Sequence, residues 1–172
     1  MEHLASTLER EGDALELLLF KLIETKLLLE AGEARFLPRA TAEVERARAR
    51  ARELDLLRAT TAARIDPDAS LRMLAAAAPA PWPAILRDHH EVLVRLVSEI
   101  EVVAHRNAQV AKALIGELSR EPVGAGVGGG GAPAARPVRN AELDRLARGA
   151  ALEAVMGTAT RLRMPDLLDF LR

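Results

Sequence analysis

The stretch Leu4–Leu29, LASTLEREGDALELLLFKLIETKLLL, decides the fold class of this chain. Alternating steps of four and three residues from Leu4 reach Leu8, Glu11, Leu15, Leu18, Leu22, Thr25 and Leu29, and most of these positions are leucine. A repeat of about 3.5 residues kept over this length predicts a long amphipathic helix that packs against other helices. Leu19, Phe20 and Ile23 widen its apolar face beyond what one narrow contact between two helices needs.

The composition agrees with an all-α fold. Of the 172 residues 49% are hydrophobic, yet only 2% are aromatic, and the chain has no cysteine. Many leucines and alanines with few aromatic residues favour closely packed helices over a sheet, and no stretch of alternating β-branched residues occurs. A net charge of -1 gives no overall attraction to nucleic acid. The lack of cysteine excludes disulfides and cysteine-based zinc sites.

Two helices are predicted in the first 65 residues. Gly32 is expected to end the first one in the left-handed conformation, and Pro38 suits the first turn of the second. The second helix has its own apolar stripe, from Leu37 to Ile65, which Arg58 interrupts. The short connection between the two predicts an antiparallel hairpin.

A short helix, Ser70 to Ala78, and a proline-rich elbow around Trp82 lead into a third long helix. Trp82 is expected to close the end of the bundle, with a contact to a partner protein as the alternative. Asn107 lies on the inward stripe of the third helix among aliphatic residues. It is interpreted as a structural residue that fixes the helix register or faces a water-filled pocket.

The predicted fold is therefore an antiparallel bundle of three long helices with a short connecting helix, spanning residues 1–120. Residues 121–139 are rich in glycine and proline and are expected to form a flexible linker. They contain G-x-G-x-x-G at Gly124, Gly126 and Gly129, but a helix precedes the motif, which does not fit a dinucleotide site. Residues 140–172 are expected to be a tethered amphipathic helical segment.

No catalytic or metal-binding constellation is predicted. His89 and His90 are adjacent, so their side chains diverge on a helix, and no H-E-x-x-H motif occurs. Arg58 and Asn107 are the only obvious inward polar candidates for an active site inside the bundle, and two such residues are few for catalysis. We therefore expect no enzyme activity, no cofactor and no metal. The amino terminus is acidic and the apolar runs are too short to span a bilayer, so a cytoplasmic protein without membrane insertion is expected.

The order of these parts resembles flagellar export chaperones of the FlgN type, as found in high-GC actinobacteria. The resemblance is carried by LLLFKLIETKLLLEAG, residues 17–32, then an Ala/Arg/Glu-rich helix, SLRMLAAAAP with the Pro-Trp elbow, the long helix with Asn107, and the apolar end DLLDFLR. It implies a cytoplasmic chaperone that binds the C-terminal helices of hook-associated proteins, which form the hook–filament junction. It further implies that the cargo is handed to the flagellar export gate.

The first helix has more apolar surface than one contact with a neighbouring helix needs. Binding of an amphipathic cargo helix in a groove of the bundle would use this extra surface. The candidate partner-binding residues lie on the first helix and in the tail, where the tail either covers the groove or clamps the cargo. They are Leu19, Ile23, Leu152, Val155, Met156, Leu162, Met164, Leu167, Leu168, Phe170 and Leu171. The alternative function is a dimeric coiled-coil adaptor unrelated to secretion, and both a monomer and a homodimer stay open.

Overall fold

A computed structural model describes residues 1–120, 135–162 and 165–172 of the chain, with side chains described for 1–120, 141–162 and 167–172. Within these ranges all regular secondary structure is helical. Six α-helices follow one another: α1 (Glu2–Glu30), α2 (Leu37–Ala63), α3 (Leu71–Ala77), α4 (Trp82–Arg120), α5 (Ala135–Thr160) and α6 (Pro165–Leu171). A single 3-10 turn, Ala34–Phe36, precedes α2. The predicted all-α class is confirmed.

The helix α1 has 29 residues and is about 43 Å long at 1.5 Å per residue. Every member of the leucine stripe from Leu4 to Leu29 is buried, including its two polar members, Glu11 and Thr25. Gly32 has a φ of 70°, the left-handed conformation expected of a residue that closes a helix. The amide of Glu33 then donates to the carbonyl of Leu28, which caps the last turn.

Cross-helix pairs fix how α1 and α2 pack. Glu11 faces Arg58, and Lys21 lies 2.8 Å from Glu43, so the numbering descends along α2 as it rises along α1. The two helices therefore run in opposite directions, as the short connection predicts. Pro38 lies in the first turn of α2, where its missing amide hydrogen is not needed. Along α2, alanines at positions 40, 47 and 51 are buried against their neighbours.

Helix α3 is capped by Ser70, whose hydroxyl oxygen accepts a hydrogen bond from the amide of Met73 at 3.3 Å. The 39-residue α4 begins at Trp82, which is half-buried. Helix α4 packs along α1 and also contacts α3. The helix α1 is thus packed between α2 on one side and α4 on the other.

The C-terminal part differs from the predicted arrangement in extent. Helix α5 begins at Ala135, inside the predicted linker of residues 121–139, and it packs against both α4 and α2. The predicted linker residues 121–134 lie outside the described part of the chain. With 26 residues α5 is a fourth long helix in the described structure. It packs against α2 and α4, and its Leu152 and Val155 share a core cluster with Leu29 of α1.

The buried side chains form two clusters. The larger one is built from α1, α2, α3 and α4 and includes Leu162, Leu167 and Leu171 from the C-terminal end. The smaller one joins the end of α1 to α5 and contains Leu29, Leu37, Ala111, Ala151, Leu152 and Val155. In the described ranges no helix is sufficiently long and apolar to cross a membrane.

Asn107 is buried in α4 and links it to α1. Its side-chain amide nitrogen donates to the carbonyl oxygen of Leu22 at 2.9 Å, and its amide oxygen has no partner among the described protein atoms. A cavity of about 10 Å³ lies beside it, lined in part by Thr25, Thr41 and Thr158. This volume is close to the minimum for one water molecule, but the surface that lines the cavity is almost entirely apolar. Asn107 is therefore well placed to fix the register of α1 and α4.

Candidate functional site

The outward face of α1 carries large apolar side chains that no other described helix covers, although the Lys21 ammonium lies 5.1 Å from the centre of the Phe20 ring. Phe20, Ile23 and Leu27 are 55%, 40% and 57% exposed, and Leu17 beside them is 48% exposed. The steps of three and four residues between the first three place them in one line along the helix. We call Phe20, Ile23 and Leu27, with Leu17 at their edge, the α1 strip. Single exposed apolar residues are ordinary, whereas a contiguous row of them marks an interaction surface.

The strip includes one of the two α1 residues predicted to bind a partner. Ile23 belongs to it, but Leu19 is only 8% exposed and packs in the larger core cluster. Leu19 is therefore a core residue and is unavailable to a partner in this conformation. Leu17, Phe20 and Leu27 were not among the predicted site residues. Their exposure depends on the positions of α2 and α4, which leave this side of α1 uncovered.

The apolar residues of the tail pack on the bundle, away from the α1 strip. Leu152 and Val155 are buried in the smaller cluster with Leu29 and Leu37, and Met156 packs at its edge. Leu162, Leu167 and Leu171 are buried in the larger cluster, with Leu168 and Phe170 half-buried against it. Met164 lies outside the described residues. In the described structure these tail residues thus belong to the core of the bundle, and the two predicted roles of the tail, covering the cargo groove or clamping the cargo, stay predictions.

A polar cluster fastens the end of α5 to α2. A guanidinium nitrogen of Arg161 lies 2.7 Å from Glu45 Oε1, and the buried hydroxyl of Thr158 donates to the same oxygen at 3.1 Å. Arg48 donates to the carbonyl oxygen of Arg161 at 3.2 Å. Burial alone raises the pKa of Glu45, but hydrogen bonds and charges from Arg161 and Arg48 outweigh it and lower the pKa overall. Glu45 is thus held ionised as the anchor of α5.

A buried ion pair lies beneath α6. Arg58 and Glu11 are each 1% exposed, and Arg58 Nε lies 3.3 Å from Oε1 and 3.1 Å from Oε2 of Glu11. The first contact has hydrogen-bond geometry, while Oε2 has no hydrogen bond to a described protein atom. Arg58 also donates to Asp55 one turn earlier in α2. The centre of the Phe170 ring lies 4.2 Å from the Arg58 guanidinium carbon, so α6 covers the ion pair with an aromatic face.

A second contact holds the end of α6 on the bundle. The Nε2 atom of His90, in α4, lies 2.8 Å from the carbonyl oxygen of Leu171, which is one of the carbonyls left without a partner inside the helix. The seven-residue α6 is therefore held by two buried leucines, by the ring of Phe170 on Arg58 and by this hydrogen bond. All of these contacts join it to residues far away in the sequence.

Glu11 has an unusual pKa for a carboxyl group. Burial raises the pKa of Glu11 to about 7, Arg58 opposes this rise, and the negative charge of Asp55 adds to it. A carboxyl whose pKa is raised in the folded state binds more protons there than in the unfolded chain between about pH 4.5 and 7. Stability from this group is thus fully present below pH 4.5 and is lost as the pH rises through 7.

We expect the folded protein to lose about 3 kcal/mol of unfolding free energy from this group between about pH 4.5 and 8. Glu11→Gln removes the titrating group and should flatten the pH dependence in that range. Urea unfolding followed by circular dichroism at several pH values measures the slope. Glu16→Gln is the matched control, because Glu16 is an exposed acid on the same helix. Equal slopes for wild type and Glu11→Gln would contradict the assignment.

Potential metal-ligating side chains are dispersed in the described part of the chain. The described residues contain no group of three or more His, Asp or Glu side chains that could hold a metal ion. A recess of about 180 Å³ is lined by leucines of α1, α2, α4 and α5, together with the charged residues Glu117 and Arg148. The geometry thus supplies apolar contact surfaces and one buried ion pair that α6 covers. Apolar surfaces of this kind can bind the apolar face of a helix.

No family model matches the chain, and neither a curated protein nor a solved structure is detectably similar to it.

Proposed function

We propose that this protein is a cytoplasmic flagellar type III export chaperone. In this proposal it binds the C-terminal amphipathic helices of hook-associated proteins, prevents their premature assembly and delivers them to the export gate. The proposal needs no cofactor, no metal and no nucleic acid. The observation that carries it is the α1 strip, a row of exposed apolar side chains on the longest leucine-rich stretch of the chain.

The arrangement of the helices supports this function. The apolar face of an amphipathic cargo helix packs against an apolar row of similar length. Phe20, Ile23 and Leu27 form such a row over two turns of α1. In the proposal α1, α2 and α4 form the antiparallel three-helix unit that presents this row. The tail helices α5 and α6 stabilise the unit from the other side, since they contact α2, α3 and α4. The sequence resemblance to FlgN-type chaperones points to hook-associated proteins as the cargo.

A titration tests the proposal. Fluorescently labelled peptides from the C-terminal helices of hook-associated proteins are titrated into the full-length protein, and fluorescence anisotropy reports binding. We expect saturable binding with a Kd of about 10 μM or tighter to at least one of them, because a helix-sized apolar contact supports affinities of that order. Scrambled peptides of the same composition lack the helical stripe and should bind far more weakly. If every hook-associated peptide behaves like its scrambled control, the chaperone proposal is wrong.

The dimeric coiled-coil adaptor is the second candidate, and the same α1 strip favours it. An exposed row of Phe20, Ile23 and Leu27 could pack against its copy in a second chain. Sedimentation equilibrium separates the two proposals in the absence of cargo. If the strip mediated dimerisation with micromolar affinity, dimers would form at concentrations up to about 100 μM. A protein that stays monomeric over this range therefore favours the chaperone over the dimeric adaptor.

A further inference from the structure

The strip is part of a longer row on the outward face of α1. Starting at Glu2 and stepping by four and three residues, the chain reaches Ser6, Glu9, Asp13, Glu16, Phe20, Ile23, Leu27 and Glu30. Each of these positions is exposed. The row lies two residues before the buried leucine stripe at every step, so it points about 200° away from the core. We call these nine positions the outer seam of α1.

The outer seam is a second heptad-spaced line on one helix. A heptad-spaced line is the pattern along which one helix packs against another, and α1 has one such line buried inside the bundle and one facing outward. The C-terminal half of the outer line carries the three apolar residues of the strip, followed by Glu30 at its end. Its length and spacing therefore match a single further helix laid along α1.

The N-terminal half of the outer seam is acidic. Glu9, Asp13 and Glu16 have no ion-pair partner among the described residues, in contrast with Glu30, which lies 3.2 Å from Lys26. The seam contains no basic residue at any of its nine positions. The positive end of the α1 dipole stabilises acids only in the first turn, so it accounts for Glu2 but does not explain three further acids up to Glu16.

These charges argue against a second copy of this chain as the occupant. If two copies of α1 paired in parallel, the acidic halves would face each other, and like charges at matching positions repel. If they paired antiparallel, each acidic half would face the apolar half of the other copy, and the acids would lose water without gaining a partner. Neither arrangement satisfies the charges of Glu9, Asp13 and Glu16.

We propose that the outer seam of α1 binds one helix of another protein with a complementary two-part seam, apolar over one half and lysine or arginine over the other. The apolar half packs on Phe20, Ile23 and Leu27, and the basic half pairs with Glu9, Asp13 and Glu16. This rests on the proposed function in that it describes the partner helix of the same surface. The acidic half of the seam sets the orientation and register of the partner helix. A partner helix bound in the reverse direction would place its lysine or arginine side chains on the apolar strip.

The test uses synthetic helical peptides of about 24 residues, which cover the seam from Glu9 to Leu27. One peptide has leucines over half of its heptad seam and lysines over the other half, and the second has glutamates in place of the lysines. Both are titrated into the full-length protein at low salt. We expect the lysine peptide to bind at least about tenfold more tightly, with a difference that shrinks as salt is added.

Charge reversal locates the effect. The seam variant Glu9→Lys/Asp13→Lys/Glu16→Lys should reverse the preference, so that the glutamate peptide binds more tightly. The matched control is Glu91→Lys/Glu99→Lys/Glu101→Lys, which reverses three exposed acids of α4 that also have no ion-pair partner among the described residues. Both variants gain the same net charge, so a difference between them belongs to the seam. Circular dichroism verifies that both fold.

Two outcomes would overturn the inference. In one, the two peptides bind the wild type equally well. In the other, the seam variant keeps the wild-type preference while the α4 control behaves identically. Because the probes are synthetic, the result does not depend on hook-associated proteins. A protein that prefers the lysine peptide but ignores every hook-associated peptide would retain this partner chemistry and lose the proposed flagellar function.

Discussion

Replacing Arg58 with alanine should lower the free energy of unfolding by about 3–5 kcal/mol at pH 8, the largest effect of any single substitution considered for this protein. Removing the guanidinium takes away the cation that opposes the raised pKa of Glu11, so at pH 8 Glu11 either stays buried as an unpaired charge or takes up a proton at a free-energy cost. It also removes the cation beneath the Phe170 ring, so α6 loses one of its contacts. At pH 5 the loss should be smaller, because Glu11 can take up a proton and avoid a buried charge.

Urea unfolding followed by circular dichroism measures this effect. The control is Arg50→Ala, on the same helix, where Arg50 is half exposed and pairs with the exposed Glu53. Surface ion pairs of this kind contribute little, so the control should stay within about 0.5 kcal/mol of wild type. The double substitution Glu11→Leu/Arg58→Met should recover most of the loss, since it removes both charges and fills the space with apolar atoms. If Arg58→Ala unfolds like Arg50→Ala, the pair does not hold the bundle as described.

The sequence contains a pattern that predicts this ion pair, but the pattern is visible only when the two helices are compared. Glu11 interrupts the leucine stripe of α1, and Arg58 interrupts the stripe of α2. In an antiparallel hairpin closed near Gly32, two such interruptions at similar distances from the turn lie opposite each other. The pairing therefore follows once both interruptions are considered together, because a buried charge needs a partner of opposite sign.

The helices themselves were predictable because their periodicity is strong over many residues. The leucine stripe predicted α1, and Gly32 predicted its end. Ser70 predicted the start of α3. Each of these signals is local. The position of Asn107 on the buried face of α4 followed from the same periodicity.

The contacts of the tail could not be predicted in this way. Phe170 meets Arg58 and Leu171 meets His90, and both contacts join residues about 80 or more positions apart. No spacing rule relates such distant residues. The exposure of α1 side chains has the same origin: Leu19 and Phe20 are neighbours in sequence, yet one is buried and the other exposed. The boundary between them depends on where α2 and α4 pack.

The second large effect concerns binding. Phe20→Gln/Ile23→Gln/Leu27→Gln should weaken the affinity for a hook-associated helix at least about 100-fold, because apolar anchors at the centre of an interface supply most of its binding energy. Glutamine is a good helix former, so α1 should stay folded. These three side chains are at least 40% exposed in the unbound protein, and their replacement removes little from the core.

A matched variant removes apolar surface elsewhere. Val92, Val94 and Val102 are exposed residues of α4, at 40%, 40% and 51%, and lie outside the α1 strip. Val92→Gln/Val94→Gln/Val102→Gln therefore removes the same number of exposed apolar side chains. Its affinity for the peptide should stay within about threefold of wild type, since surface changes away from the contact are nearly neutral.

The proposed cargo site on α1 is tested most directly by one titration of a hook-associated C-terminal peptide into three full-length proteins: the wild type, the α1 strip variant and the α4 variant. We expect wild type and the α4 variant to bind the peptide with similar affinity, and the strip variant to lose at least about 100-fold in affinity. If the strip variant binds as tightly as wild type, the outward face of α1 is not the cargo site and the central claim is wrong.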